Sequence, residues 1–446
     1  MIEEQPQPTG FLHWLKESVT VKLVFIGMLI LVLLIPSVMI NELITERAVR
    51  QEQTIKEVTD QYSGDQLIQG PVLVIPYRET VTTAGSNKTE EVIRNLYVLP
   101  NELNYKGSLA SEVRHRGIYA VPVYNGAIQV SGNFTKADLA SLSISPDKLL
   151  PEKASILFSI SDLKGLKTNP QVTVAGQTLT AEPAAGDKLF INSLQVLVNL
   201  SGLWDKTVPF SFSLDMKGSQ ELSFLHLGKT TDVELTGNWA SPSFDGRYLP
   251  DTRVVNDKGF SAKWRMLYYN RPFPQQWADD TSLLTNEKKA ADATFGVKLK
   301  LPVDDYQKTM RTSKYAILII MLTFVSLFLT EMIRKQKVHV FNYVLIGAAM
   351  IIYYTLLLSF SEQVGYNFAY LIASVATIGL IATFMASLLK NGKAAIVFTF
   401  ILTLFYSFIY VLIQLEDLAL LMGSIALFLI VAALMYSSRK INWDKS

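Results

Sequence analysis

Six apolar runs, at residues 23–40, 315–333, 340–360, 368–389, 394–414 and 418–436, set the plan of this chain. An α-helix rises ~1.5 Å per residue, so about 20 apolar residues cross the ~30 Å hydrocarbon layer of a bilayer, and each run is of that order. Five of the runs follow one another at short intervals, whereas residues 41–314 separate the first from the rest. That spacing predicts one anchor helix, a large domain outside the membrane, and then a five-helix bundle. Composition agrees, because 49% hydrophobic residues against 18% charged is too apolar a mixture for an ordinary soluble chain.

Lys16 and Lys22 precede the first run as they would in a signal peptide, but the run exceeds the ~7–15 residues of a signal core and lacks a small-residue cleavage site. Asn41-Glu42-Leu43-Ile44-Thr45-Glu46-Arg47 continues the helical pattern, which makes the run an uncleaved anchor with Pro36 as a point of bending. Orientation follows from Lys and Arg, which are retained on the cytoplasmic side of short loops. Lys16 and Lys22 precede the first run, Arg334, Lys335 and Lys337 separate the second and third, Lys390 and Lys393 the fourth and fifth, and Arg439, Lys440 and Lys445 follow the sixth. The opposite short loops carry Glu362, Glu416 and Asp417 without a Lys or Arg. Both termini are therefore expected in the cytoplasm and the long segment on the exported side. The divisions are a cytoplasmic segment at 1–22, the anchor at 23–44, a stalk at 45–62, the exported domain at 63–313, the bundle at 314–436 and a cytoplasmic tail at 437–446.

Ile44, Ala48, Ile55, Val58 and Tyr62 recur at helical steps, so the anchor runs on as a helical stalk that Ser63-Gly64 ends. From Gly70-Pro71 onwards the apolar period becomes two. Val208, Phe210, Phe212, Leu214 and Met216 alternate strictly with polar residues, as do Phe295, Val297, Leu299 and Leu301, and Trp264, Met266 and Tyr268. Asn125-Gly126 between two apolar stretches predicts a tight hairpin turn, and a short helix is expected near 136–142. The fold expected is a membrane α-helical protein of six transmembrane helices with a large, mostly β, antiparallel extracytoplasmic domain, in one sandwich or two lobes.

Several chemistries are disfavoured by residue type alone. Cysteine is absent, which removes disulfides and thiolate sites, and His13, His115, His226 and His339 lie at no metal-binding spacing. The runs contain no interior Asp or His for intramembrane proteolysis, and no glycine-rich phosphate loop is present. Glu331 is the one carboxylate inside a run and reads as a residue snorkelling to the interface beside Arg334 and Lys335. Asp245 and the adjacent Asp304-Asp305 are the carboxylates to consider for acid–base work, but neighbours on a strand point to opposite faces. No catalytic residue, cofactor or metal is expected. Trp264, Tyr268, Tyr269, Phe273 and Trp277 form a candidate binding surface, with core packing as the alternative. In the fourth run Gly379, Thr383 and Ser387, with Ala369 and Ala373, place small residues at four-residue steps for close helix packing. Arg311 and Lys314 begin the second run and Glu362 ends the third, so an ion pair between them is expected across that helical hairpin.

Gly70-Pro71-Val72-Leu73-Val74-Ile75-Pro76, Arg116-Gly117-Ile118-Tyr119, Ser243-Phe244-Asp245-Gly246-Arg247-Tyr248-Leu249-Pro250, and Gly259-Phe260 with Trp264 occur in that order. Tyr306-Gln307-Lys308-Thr309-Met310-Arg311, Ser361-Glu362 with Gly365, and Arg439-Lys440-Ile441-Asn442-Trp443 follow. Together these stretches resemble the CreD family of bacterial inner-membrane proteins, also called cell envelope integrity proteins, over nearly the whole chain. Asn442 departs from the Asp expected there. The resemblance implies a bacterial inner (plasma) membrane location, a periplasmic β domain and a part in envelope maintenance or stress response, and it supplies no reaction or catalytic residue. The leading expectation is a non-enzymatic protein whose periplasmic domain senses or binds an envelope protein or cell-wall component. A transporter or permease-like subunit, which needs a polar path through the bundle, and a periplasmic cell-wall-acting enzyme, which needs converging carboxylates, are the alternatives. The lipid bilayer is a necessary partner, a formal charge of +2 gives no reason to expect nucleic acid, and oligomeric state is left open.

Overall fold

A computed structural model of the chain describes residues 19–82, 89–184, 189–301, 305–334, 338–389, 392–415 and 418–438. The chain divides into two units, Gln53–Pro302, and Met1–Glu52 together with Val303–Ser446.

In the first unit the period-two patterning becomes two sheets. One has the order β13 (Pro242–Gly246), β17 (Thr294–Leu299), β11 (Glu221–Leu225), β1 (Gln66–Thr82), β5 (Ala154–Ile160), β9 (Ser193–Val198), β8 (Glu182–Pro183). To it β2 (Thr89–Val98) adds on β1, and β16 (Gln276–Ala278) on β2. The other runs β14 (Thr252–Asn256), β15 (Gly259–Leu267), β12 (Thr230–Gly237), β3 (Glu102–Arg116), β4 (Tyr119–Phe134), β10 (Val208–Ser219), β6 (Gln171–Val174), β7 (Gln177–Thr180). Short helices α2 (Ser282–Thr285) and α3 (Glu287–Ala293) lead into β17.

The apolar faces meet in one core, so this is one sandwich and not two lobes. Phe158 of β5 stacks on Phe212 of β10 at 4.6 Å between ring centres, Tyr105 of β3 meets Phe224 of β11 at 4.9 Å, and Trp264 of β15 meets Phe295 of β17 at 5.7 Å. Each such ring is buried, and truncating one to Ala costs ~3–5 kcal/mol. β10 alternates buried and exposed from Val208 to Met216, as its sequence predicts.

Two details differ from the sequence reading. Most strand pairs are antiparallel, but β1–β11 and β3–β12 are parallel. Asn125-Gly126 makes no turn, because it lies inside β4, where Gly126 pairs with Leu109 on one side and Met216 on the other. Two long flanking strands thus override a local turn preference. The hairpin turn falls instead at Gly117-Ile118, with Arg116 paired to Tyr119 and Gly117 at φ +62°.

The second unit is helical. The 44-residue α1 (Val19–Tyr62) passes unbroken through Pro36, and the division between units falls within it. After α4 (Asp305–Lys314) come α5 (Ala316–Arg334), α6 (Val340–Val364), α7 (Tyr366–Leu389), α8 (Gly392–Gln414) and α9 (Ala419–Ser438). Among the described residues, α1, α5, α6, α7 and α8 are long and apolar enough to cross a membrane. α9 offers the shorter apolar stretch Leu420–Ala432. Neighbours along the chain pack together, α6 on α7 and α7 on α8, while α4 lies against α6. The orientation-setting residues Lys16, Lys335, Lys337, Lys390, Glu416, Asp417, Arg439, Lys440 and Lys445 lie outside the described residues.

The packing stripe of α7 corrects the sequence reading. Ala369 and Ala373 are buried together with Tyr370, Ser374, Thr377, Ile381 and Met385. Gly379, Thr383 and Ser387 are exposed, and a Cβ on Gly379 would meet nothing within 4 Å. Four-residue steps exist on both faces of this helix, and the aromatic-bearing face, which buries more surface, is the one that packs.

Candidate functional site

The aromatic stretch from Trp264 to Trp277 divides by exposure. Strand alternation turns Trp264 inwards, where its indole N–H donates to the Tyr248 carbonyl at 3.2 Å. Phe273 and Trp277 are also buried, the latter stacked on Tyr97 of β2 at 5.4 Å. These three belong to the core. β15 ends at Leu267, and a 3₁₀ turn, Tyr268–Asn270, then breaks the alternation and leaves Tyr268 42% and Tyr269 77% exposed. Their rings lie 4.1 Å apart, and Lys229 Nζ stands 5.6 Å from the Tyr268 ring.

The turn is fixed from behind. The Tyr248 hydroxyl donates to the Asn270 carbonyl at 2.7 Å. His226, fully buried, donates from Nε2 to the Leu267 carbonyl at 3.3 Å, so its Nδ1 accepts from the Thr231 hydroxyl at 2.9 Å. Burial above all holds the His226 pKa down to about 4, and the charge of Arg271 adds to it. Arg271 donates to the carbonyls of Leu227 and Phe273 and to Gln275 Oε1, while Gln275 donates to the Leu99 carbonyl at 2.5 Å. Lys229, Tyr268, Tyr269, Arg271, Phe273, Pro274 and Gln275 line an open hollow of about 540 Å³.

Asp245, the carboxylate considered for catalysis, is held by Lys298 Nζ at 2.5 Å, which keeps its pKa below the usual carboxylate range. Asp304 lies outside the described residues. Asp305 Oδ1 accepts from the Tyr366 backbone N–H at 3.1 Å, at the start of α7 where the helix dipole favours a negative charge.

The expected ion pair of Glu362 with Arg311 or Lys314 is not formed. Glu362 Oε1 accepts instead from the Tyr306 hydroxyl at 2.9 Å. Helical phase explains the difference: at ~100° per residue Arg311 lies about 140° round α4 from Tyr306, and Lys314 is exposed. Next to this contact the hydroxyls of Thr312 and Tyr366 meet at 2.7 Å.

Glu331 also departs from expectation. It is 7% exposed and does not snorkel: Lys22 Nζ bonds its Oε1, the Val338 N–H reaches the same oxygen at 3.1 Å, and the Tyr343 hydroxyl reaches Oε2 at 3.1 Å. Lys22 also donates to the Val338 carbonyl at 2.6 Å. Further along α1, Asn41 bonds Ser313 of α4, so α1 is held to the bundle at two levels.

Between these levels, Tyr353, Tyr354, Tyr370 and Tyr406 pack edge to face at 4.9–6.0 Å. The hydroxyls of Tyr353, Tyr354, Ser374, Tyr406 and Thr323 are buried without a hydrogen-bond partner among the described residues. Phe324 and Leu327 on α5, and Ile346 and Met350 on α6, separate that cluster along the chain from Glu331 and Tyr343, and all four are buried.

Sequence reasoning found Tyr268 and Tyr269 but missed Lys229, Tyr248 and His226 as parts of the same site. His226 and Lys229 lie just before β12 and reach the tyrosine turn through the β12–β15 pairing, while Tyr248 is brought to it by its bonds to Asn270 and Trp264. The one available signal was Tyr248, inside the Ser243–Pro250 stretch that marks the family resemblance.

Comparison with known proteins agrees with that resemblance. The family model for inner membrane protein CreD matches residues 18–444. Inner membrane protein CreD of Escherichia coli (strain K12) is 31% identical over 417 residues, which cover 93% of this chain and 91% of that protein. The chain therefore belongs to the CreD family of inner membrane proteins.

Proposed function

We propose that this chain is a non-enzymatic cell-envelope protein whose β unit lies in the periplasm and binds an envelope component or protein partner through the Tyr268–Tyr269 face. In this reading six spans anchor it in the inner membrane with both termini in the cytoplasm, and it serves envelope integrity under stress. The observation that carries the binding role is the exposed tyrosine pair beside its hollow, on a turn fixed by Tyr248, His226 and Arg271. Rigid aromatics with polar edges give contact area at little cost in side-chain entropy. The structural engagement of Asp245 and Asp305 supports a binding protein over a hydrolase.

A permease-like subunit is the second reading, favoured by the buried hydroxyls of Tyr353, Tyr354, Ser374 and Tyr406. The apolar stretch of Phe324, Leu327, Ile346 and Met350 weighs against a continuous polar path. A photo-crosslinking residue at Tyr269, tested in growing cells, should give a discrete adduct, and the same residue at Leu197, which is also well exposed, should not. Equal labelling from both positions, or none from Tyr269, would remove the tyrosine face as the binding face.

A further inference from the structure

Lys229 and Arg271 line one hollow of the β unit, and no carboxylate of the described residues comes within ion-pair distance of either. Arg271 is only 8% exposed, so its charge is taken out of water with carbonyl and amide oxygens as its partners. A guanidinium has five N–H donors, and protein oxygens take three of them here, one on each nitrogen. Lys229 and Arg271 are like charges on residues that line one hollow, and an anion held there lessens their mutual repulsion.

The lining residues lie between strands: β12 begins at Thr230, β15 ends at Leu267 and β16 begins at Gln276. An extended peptide would find no strand edge there to pair with. About 540 Å³ suits a compact ligand, and the exposed Tyr268–Tyr269 rings offer a surface for a ring with an apolar face. We propose that the hollow binds a sugar ring carrying a phosphate or a carboxylate, with the anionic group on Lys229 and Arg271 and the C–H face of the ring on the tyrosine pair. This assignment rests on the reading of that pair as a binding face.

The test is calorimetry on the full chain in lipid nanodiscs with glucose 1-phosphate, glucuronate, glucose and inorganic phosphate. Both acidic sugars should bind, more weakly as salt rises, and about tenfold tighter than glucose, the value of one hydrogen bond to a charged group. Lys229 is exposed, so Lys229→Gln should fold and lower acidic-sugar affinity about tenfold. Tyr269→Ala should weaken both acidic sugars and leave inorganic phosphate unchanged. Binding of glucose as tight as that of its phosphate, binding of inorganic phosphate as tight as that of the sugar phosphate, no binding at all, or indifference to Lys229→Gln would each overturn the assignment. An adduct from Tyr269 in cells without acidic-sugar binding would remove the ligand class alone, whereas absence of the adduct would remove the binding face.

Discussion

His226 shows how one buried ring can tie the stability of the sandwich to acidity. Its Nδ1 accepts from the Thr231 hydroxyl, and that oxygen accepts from the Gly228 N–H at 3.1 Å, so a proton on Nδ1 displaces the hydroxyl hydrogen from its acceptor. The folded value of about 4 lies below the ordinary 6.5, so the unfolded chain takes up the proton first. The stabilising contribution is present above pH 6.5 and is lost as pH falls towards 4, to a total of about 3 kcal/mol. Tryptophan fluorescence in denaturant, with Trp204, Trp239, Trp264 and Trp277 as reporters, should show the parent weakening across that window and His226→Gln changing less. Identical pH profiles would exclude His226 as the cause. Nothing in the sequence marked this histidine, because its burial depends on strands that close over it from more than thirty residues away.

At the scale of elements, the contacts of α1 are the least legible in the sequence. Lys22 and Glu331 lie 309 residues apart, and each by itself reads as an interfacial charge. Joined and largely buried, at 19% and 9% side-chain exposure, they form a pair whose separation is costly. Lys22→Met alone or Glu331→Leu alone should lower the stability of the full chain in detergent by about 3–5 kcal/mol, and the double variant should recover most of the loss. Additive losses in a double-mutant cycle of thermal melting would show that the pair is not coupled. For α7 the expected outcome is a contrast. Ala373→Leu, at a fully buried position, should destabilise by about 1–3 kcal/mol, while Gly379→Ala should be neutral or stabilising because its Cβ enters open space. A greater cost at Gly379 than at Ala373 would reverse the assignment of faces. Strand alternation in β10 and β15 was plain in the sequence, since inward and outward positions differ in polarity; a stripe of small residues was not, since both faces of a membrane helix are apolar.

For the whole molecule, the separation into a helical and a β part was legible because the two solvents, lipid and water, demand different residue patterns. What was not legible was the route of the chain through the sandwich. Orientation is open to a direct test: a reporter fused after Lys337 or Lys393 should be cytoplasmic, and one inserted at Gly186 should be exported. Cytoplasmic exposure at Gly186 would invert the topology. The parallel pairs carry a further consequence, for the order in which the sandwich can form. β1 takes its parallel partner β11 across Gln66–Leu222, and β3 takes β12 across Glu102–Thr230, so a strand made early waits for one made much later. Until about half the chain has emerged, both sheets carry an open edge with unpaired N–H and C=O groups, which is the form most prone to mispairing with other chains. Assembly of the β unit is thus expected to wait on synthesis, with the first half in need of protection until residues 221–237 arrive.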